Sequence, residues 1–315
     1  MRSELVSVLM TTYNEKVEWI EAAIDSLLNQ TYKDIEIIIA ADNPKEDQII
    51  KLLNSYNERF NQIKIIINKK NMGLACSLNE CFKIAKGKYI ARMDADDVSE
   101  KDRIELQVKE LKENSHIHLI TASCKYINEY NELIGEQSTG AKGPLQVKRG
   151  LKYINFIIHP SWLMRREVYE TLGGYRQFEC SQDYDFLLRM VSRGFNIKVS
   201  EKRLIQYRVR SNSISSSKSF KQYLIAKYIK LLHEERIRDG VDSFSLGNLD
   251  RFLIENEYDN NMEQYNISHR TFMSIREAGS KIEKVKRSFQ CLFISKYSRD
   301  LLINSILFKI LTKNR

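Results

Sequence analysis

No run of about 18 apolar residues occurs anywhere in the 315, so no segment is expected to cross a bilayer as a helix. The cysteines lack the spacing of a zinc site. Cys76, Cys81, Cys124, Cys180 and Cys291 are scattered, and Cys76 and Cys81 are five apart within a predicted helix, too far for a ligand knuckle. An odd count of thiols scattered through apolar stretches fits reduced core cysteines of a cytosolic protein. Glycine is missing where a nucleotide cradle would need it. The turn after the first predicted strand is Thr11-Thr12-Tyr13-Asn14-Glu15, and neither Gly-x-Gly-x-x-Gly nor a P-loop follows. A dinucleotide fingerprint is thereby excluded, and a bound nucleotide would be held by side chains and a metal. Met1-Arg2-Ser3-Glu4 leads straight into a strand, so no signal peptide is expected.

What is present is basic: the net charge is +9, which favours an anionic partner such as phosphorylated small molecules, an acidic membrane surface or nucleic acid. At this length the chain holds one large domain or two. Its first part alternates. Leu5 to Met10 is a nearly continuous apolar run, as in a strand buried on both faces. Glu18 to Asn29 carries Trp19, Ile20, Ala23, Ile24, Leu27 and Leu28 at helical spacing. Strands over Asp34–Ala40, Ile63–Ile67 and Tyr89–Met93 then alternate with helices over Lys45–Phe60 and Leu74–Ala85. This alternation predicts parallel strands joined by right-handed crossovers, with helices on both faces.

The fourth strand ends in Asp94-Ala95-Asp96-Asp97, and a helix is predicted from Lys101 to Asn114. Three carboxylates therefore stand at the carboxyl end of a strand, where open α/β sheets bind ligands. They repel one another, and a hard divalent cation, Mg²⁺ or Mn²⁺, would neutralise them and hold a phosphate as well. The same run also reads as an acidic turn, with Asp97 or Ser99 capping the next helix. Other strand ends converge on this edge. Thr11, Thr12 and Tyr13 offer hydroxyls and an aromatic face after strand one. Asp42 follows strand two, either as a ligand to a base or ribose or as a turn residue before Pro44. Asn71 follows strand three, within reach of a ligand, beside a helix-entry turn at Gly73.

Val6-Ser7-Val8-Leu9-Met10-Thr11-Thr12-Tyr13-Asn14-Glu15, Asn71-Met72-Gly73-Leu74-Ala75 and Gly87 to Asp97 occur in the order of glycosyltransferase family 2, which the chain resembles from about Ser3 to about Ser216. Within that family the likeness is to bacterial capsule, lipopolysaccharide and exopolysaccharide enzymes. The resemblance implies an α/β GT-A fold, a Rossmann-like mixed sheet flanked by helices, here with a C-terminal helical extension. It implies that Asp94-Ala95-Asp96 is the DXD motif, with Asp96 on the divalent cation (Mn²⁺ or Mg²⁺) and Asp94 towards the nucleotide. Thr11, Tyr13 and Asp42 would line the base pocket. The family's second-strand motif is often Asp-Asp-Gly-Ser; Ala41-Asp42-Asn43-Pro44 stands here, and Asp42 alone is carried over.

In the second half, Leu119–Cys124 reads as a strand, Tyr126–Ile134 as a hairpin, and Ala141–Leu151 as a loop or short helix. His159-Pro160 is followed by the basic pair Arg165-Arg166. The family often has such a segment on the acceptor side, so His159 is a candidate for acceptor or phosphate contact beside the plainer reading of a structural histidine. Gly173-Gly174-Tyr175 is a tight turn before Gln182-Asp183-Tyr184-Asp185. Both aspartates sit in the first turn of a helix, where its dipole favours them. Where the family places Glu-Asp, with the aspartate as base, this chain has Gln182-Asp183, and the resemblance assigns the base to Asp183. Many members carry Tyr-Arg-x-His further on. Here Tyr207-Arg208-Val209-Arg210 lacks the histidine, leaving Arg210 as a candidate for direct phosphate contact. The serine-rich run 211–217 reads as a flap or a linker.

The expected division is a catalytic domain over 1–216 and a basic, mainly helical extension over 217–315. The last 40 residues hold ten Lys or Arg against three acids, interleaved with apolar residues. That end would either pack on the catalytic domain or lie on an anionic membrane. The expected function is inverting transfer of a sugar, one carboxylate taking the proton of the attacking hydroxyl. The donor is a nucleotide-sugar, a UDP-sugar by preference, and the acceptor a saccharide or lipid-linked saccharide in surface polysaccharide synthesis. The setting is cytoplasmic, or peripheral on the inner face of the cell membrane. A nucleotidyltransferase is the alternative, but it would need a basic loop where Thr11 to Glu15 stands. A non-catalytic nucleotide- or nucleic-acid-binding protein is a further alternative. No nucleic acid partner is expected, because the positive charge sits at the far end of the chain.

Overall fold

The computed structural model describes residues 4–137, 140–210, 219–256 and 258–313. Nine strands form one mixed sheet: β1 (Val6–Thr12), β2 (Ile35–Ala41), β3 (Ile63–Ile67), β4 (Tyr89–Asp94), β5 (Val98–Ser99), β6 (Leu119–Ile127), β7 (Leu133–Gln137), β8 (Leu163–Arg165) and β9 (Ile197–Arg208). Their order is β3-β2-β1-β4-β8-β6-β9-β5, with β7 paired to β6. The run β3-β2-β1-β4 is parallel, as the strand–helix alternation predicts. Beyond β4 the sheet turns mixed: β8 is antiparallel to β4 and β6, β9 parallel to β6, and β5 antiparallel to β9.

The parallel strands are apolar throughout because both faces are covered. Val6, Val8 and Met10 of β1 pack with Ile20, Ile24 and Leu27 of α1 (Val17–Leu28), in a core that also holds Ile104, Val108 and Leu111 of α4 (Arg103–Glu113). Leu9, Ile38 and Ala40 face the other way and are equally buried, on the side of Leu78 and Cys81 of α3 (Leu74–Ile84). The helix α2 (Asp47–Arg59) contributes Ile49, Leu53 and Tyr56 to the first core.

One polar group is sunk into this apolar frame. Glu36 of β2 accepts from the Ser7 hydroxyl at 2.6 Å and the Lys86 N–H at 2.6 Å, and pairs with Lys64 of β3. The Ser7 hydroxyl in turn accepts the Gly87 N–H at 2.7 Å. A Cβ at Gly87 would stand 2.5 Å from the Ser7 nitrogen, so only glycine lets the chain enter β4 this close to β1. Burial pushes the Glu36 carboxyl up, but its three partners outweigh burial and hold it below the ordinary glutamate range.

The predicted elements are present, with ends shifted by up to three residues. The strand expected to end at Cys124 continues to Ile127, and the hairpin to β7 turns at 128–132. β9, like the short β5 and β8, is an element that sequence reading did not find. Its middle, Glu201-Lys202-Arg203, is charged and exposed where the pairing with β6 shifts register, which hides the strand's alternation. The short α5 (Pro144–Leu151), α6 (Arg166–Leu172) and α7 (Gln182–Ser192) complete this part of the chain.

The chain divides into two compact units, one of residues 1–144 and 157–213, the other of 145–156 and 214–315. The expected boundary at 216/217 and the serine-rich run lie outside the described residues. The second unit is helical: α8 (Ser219–Asp239), α9 (Leu246–Glu255), α10 (Tyr258–Glu277), α11 (Lys281–Ile294) and α12 (Lys296–Leu311). Phe220, Leu224, Tyr265 and Tyr297 form its core, with the Phe220 and Tyr265 rings 4.8 Å apart. Ser295 caps α12 by accepting from the Tyr297 and Ser298 N–H groups, and its hydroxyl meets that of Ser268 on α10 at 2.6 Å. This unit also takes in 145–156. Gly150 lies so near Phe156, Phe308 and Thr312 that a Cβ would approach them to 2.8–3.0 Å, and the Phe156 and Phe308 rings stand 4.8 Å apart. No helix among the described residues is long and apolar enough to cross a membrane.

Candidate active site

The site is built where β1 has β2 on one side and β4 on the other. At that switch point the following loops part and leave a crevice at the carboxyl ends of the strands. Thr11 is paired with Asp94 across β1 and β4, and Thr12 with Ala41 across β1 and β2. Tyr13, Asp42 and Asp94 are thereby delivered to one edge. Glu15 folds back to shape the first loop, its carboxylate accepting from the Thr12 hydroxyl at 2.8 Å and the Tyr13 N–H at 2.7 Å. The Tyr13 ring is left exposed.

Asp42 is buried and engaged. One oxygen accepts from the Asn68 amide at 2.7 Å and the Met72 N–H at 2.8 Å, the other from the Gly73 N–H at 2.8 Å. It ties the end of β2 to the turn that opens α3, where Gly73 takes φ +82°. The exposed Asn71 side chain also accepts from the Gly73 N–H, at 3.0 Å. Asn68, which links Asp42 to Ser77 on α3, went unnoticed in the sequence because a lone asparagine after a strand carries no signal.

Asp94, Asp96 and Asp97 each bring a carboxylate oxygen within 4.8 Å of the others. Asp94 is half-buried and Asp96 and Asp97 are buried. Arginines surround them. Arg92, two residues earlier on the same face of β4, pairs with Asp94. Arg208 at the end of β9 donates its backbone N–H to Asp97 at 2.8 Å and its Nε to the Asp96 carbonyl at 2.7 Å. The same guanidinium reaches the Asn128 carbonyl and the Asn131 side chain in the hairpin turn. Arg210 pairs with the Asp96 carboxylate at 2.8 Å. Arg103, fully buried at the start of α4, donates to the carbonyls of Arg92 and Trp162. It serves the backbone where β4 runs on past β8, and burial, aided by Arg92, pulls it down to about 9.

These cations leave the cluster under-compensated. Burial, with Asp94 beside it, pushes the Asp96 carboxyl up to about 6 against the pull of Arg210. Burial and the two neighbouring carboxylates raise Asp97 well above the ordinary range. Its Oδ2 is buried with no hydrogen-bond partner among the described residues. Three converging carboxylates, one with an orphaned oxygen, are the hard donor set that suits Mg²⁺ or Mn²⁺. The residues fit a divalent cation held by Asp96 with Asp94 or Asp97.

A second group of side chains lies beside the acids. The turn 173–175 has both glycines at positive φ, and a Cβ on Gly174 would stand 2.4 Å from the Asn79 side-chain oxygen. Asn79 of α3 accepts from the Tyr175 N–H and the Tyr169 hydroxyl and donates to the Tyr175 carbonyl. From α7, Arg189 donates to the carbonyls of Leu172 and Gly174 and is itself held by buried Asp185 at 2.7 Å. Tyr175 is thus fixed from both sides, and its hydroxyl meets His159 Nε2 at 2.7 Å. Burial, reinforced by Arg92, lowers His159 well below its usual range, so the imidazole is neutral near pH 7. Burial chiefly raises the Tyr175 phenol. Asp183 and Asp94 push it the same way, while Arg92 and Arg189 oppose them. One phenol therefore senses both the acid cluster and Asp183.

Asp183 is half-buried in the first turn of α7, after Ser181 in the left-handed conformation and beside buried Gln182. The two aspartates of that turn differ in surroundings: Asp185 is spent on Arg189 and Arg176, whereas Asp183 lies near Tyr175. Arg92 has two nitrogens, Nε and Nη1, buried without a hydrogen-bond partner among the described residues. Arg92, Arg103, Tyr175 and Asn79 were not singled out from sequence; an arginine in a strand flanked by apolar residues was the available signal for the first.

Residues 7–173 match the sequence model of glycosyl transferase family 2. The chain is 31% identical over 233 residues to an uncharacterized glycosyltransferase of Methanocaldococcus jannaschii, covering 74% of this chain and 80% of the relative. It is 32% identical to the O-antigen biosynthesis glycosyltransferase WbnJ of Escherichia coli, covering 68% of this chain and 83% of the relative. Among solved structures, S. aureus TarS 1-349 in complex with UDP-GlcNAc superimposes with a TM-score of 0.63, covering 98% of this chain and 90% of that one at 15% identity. This likeness extends to the fold, the mixed GT-A sheet with helices beyond it.

Proposed function

The chain belongs to glycosyl transferase family 2, and on that premise we propose that it moves a sugar from a nucleotide-sugar donor, a UDP-sugar, to a saccharide or lipid-linked saccharide acceptor, inverting the anomeric centre. The observation that carries this reading is the convergence of Asp94, Asp96 and Asp97 with Thr11, Tyr13, Asp42 and Asn71 on one sheet edge, beside Tyr175 and Asp183. The UDP-GlcNAc and UDP complexes of TarS favour a uridine donor, and the O-antigen role of WbnJ favours surface polysaccharide synthesis.

In this reading Tyr13 offers its exposed ring to the base, Thr11 and Asn71 contact the nucleotide, and Asp42 holds the turn that carries Asn71. Asp94 faces the ribose side. Asp96 would hold Mn²⁺ or Mg²⁺, which would supply positive charge against the leaving diphosphate. Arg210 contacts that diphosphate as well. Asp183 accepts the proton of the acceptor hydroxyl as it attacks the anomeric carbon, and the bond to the nucleotide diphosphate breaks on the opposite side. One displacement inverts the centre and needs no protein nucleophile. His159, neutral and bonded to Tyr175, positions that phenol rather than binding phosphate as a cation. The basic excess at the C-terminal end supports a peripheral position on the inner face of the cell membrane, which would suit a lipid-linked acceptor.

Calorimetric titration of UDP, with and without Mn²⁺, into wild type and Asp96→Ala tests the reading. Metal-dependent binding that disappears in the variant is expected. Failure of UDP, GDP, CDP and dTDP alike to bind in the presence of metal would overturn it.

A further inference from the structure

The second unit turns an apolar stripe to solvent. Ile282, Val285, Phe289 and Phe293 recur along α11 at helical spacing and are 83%, 71%, 61% and 71% exposed. The Phe289 and Phe293 rings lie 4.9 Å apart, so the stripe ends in an exposed aromatic pair. It is not the packing face of α11. That face carries the fully buried Cys291, and Arg287 donates from its flank to the Ser274 carbonyl of α10. At 100° per residue, exposed Lys286 falls on one border of the stripe and exposed Lys281 on the other. The next helix repeats the pattern: Ile303, Ile306 and Ile310 of α12 are 46%, 46% and 64% exposed, with exposed Arg299 a turn before them and exposed Lys313 a turn after.

We infer that α11 lies in the headgroup layer of an anionic bilayer, with Ile282, Val285, Phe289 and Phe293 entering among the lipid chains and Lys281 and Lys286 meeting lipid phosphates. The charge decides the occupant. Residues 281–313 hold eight basic side chains and two acids, and one of those acids, Glu283, is already paired with Arg287. A second copy of this face would offer its lysines no acidic partners, whereas anionic headgroups would. At 14 residues α11 is about 21 Å long, too short to span a bilayer core of about 30 Å, so it lies in the plane of the surface. The inference gives a surface to the peripheral location proposed above and rests on that part of the reading. It stands apart from sugar transfer, whose residues belong to the first unit.

The test is co-sedimentation of the full chain with vesicles of phosphatidylcholine alone or mixed with phosphatidylglycerol. Binding to the mixed vesicles only, weakening as salt rises, is expected. Phe289→Ser/Phe293→Ser should lower partitioning by about tenfold or more, and Lys281→Glu/Lys286→Glu by a similar factor. No partitioning of wild type to anionic vesicles, or equal partitioning by wild type and both variants, would overturn the inference. So would a phenylalanine variant that changes only the oligomeric state in size-exclusion light scattering, which would give the stripe to a second copy. Unchanged helical circular dichroism shows that the variants keep the second unit folded, and UDP titration of the same proteins separates the two readings: failed UDP binding with intact vesicle binding counts against sugar transfer alone.

Discussion

Asp183 and Asp185 stand two residues apart in one helical turn, and only their neighbours distinguish them. Asp185 is buried against Arg189, while the charge of Asp183 acts on the Tyr175 phenol. Asp183→Asn keeps the shape and removes the basic oxygen. Turnover should fall by about 10²–10⁴ with UDP affinity unchanged, and a loss under tenfold would remove Asp183 from the role of base. Arg210 poses a different question, because its ion pair must open for Asp96 to face a cation. A partly exposed pair is worth at most about 1 kcal/mol. Arg210→Ala should therefore tighten Mn²⁺ binding, measured without nucleotide, by up to about fivefold, while weakening UDP. Unchanged values for both would show Arg210 to be a bystander.

At the scale of elements, the parallel strands depend on one buried carboxylate. Glu36 joins β1, β2, β3 and the entry to β4, and replacing it by glutamine leaves a charge-assisted network half satisfied, at a cost of about 1–3 kcal/mol. The sign of the pH effect follows from the lowered folded-state pKa. The stabilisation is fully present above the ordinary glutamate range near 4.3 and is lost as pH falls through the lower folded value. Urea unfolding of wild type and Glu36→Gln should differ most near neutrality and converge in acid; parallel curves down to acid pH would disprove the assignment. β1 to β4 are legible in the sequence because burial on both faces makes them continuous apolar runs. β9 is not, since its charged middle lies at a register shift. What it delivers, Arg208 and Arg210, reaches the acid turn over more than a hundred residues.

At the scale of the whole molecule, 145–156 joins the unit that begins beyond 213, although its sequence neighbours belong to the other. Gly150 is the tight point of that association. Gly150→Val should speed amide hydrogen exchange in 145–156 and in α12 together and leave β1–β4 unchanged. Faster exchange in 145–156 alone would mean the segment is not part of that unit's cooperative structure.

The sequence by itself determined the strand–helix alternation, the acidic turn at the end of the fourth strand, and the convergence of Thr11, Asp42 and Asp94 on one edge. Each follows from a local period or from the polarity of parallel strands, and such patterns are written within a few consecutive residues. The tertiary structure alone decided that Arg92, Arg208 and Arg210 engage the acid turn yet leave an oxygen of Asp97 without a partner among the described residues, that His159 is held neutral against Tyr175, that Asp185 is consumed by Arg189, and that α11 keeps its aromatic pair in solvent. Burial and partner choice depend on segments distant in sequence being packed together, and no periodicity within a segment specifies what will cover it.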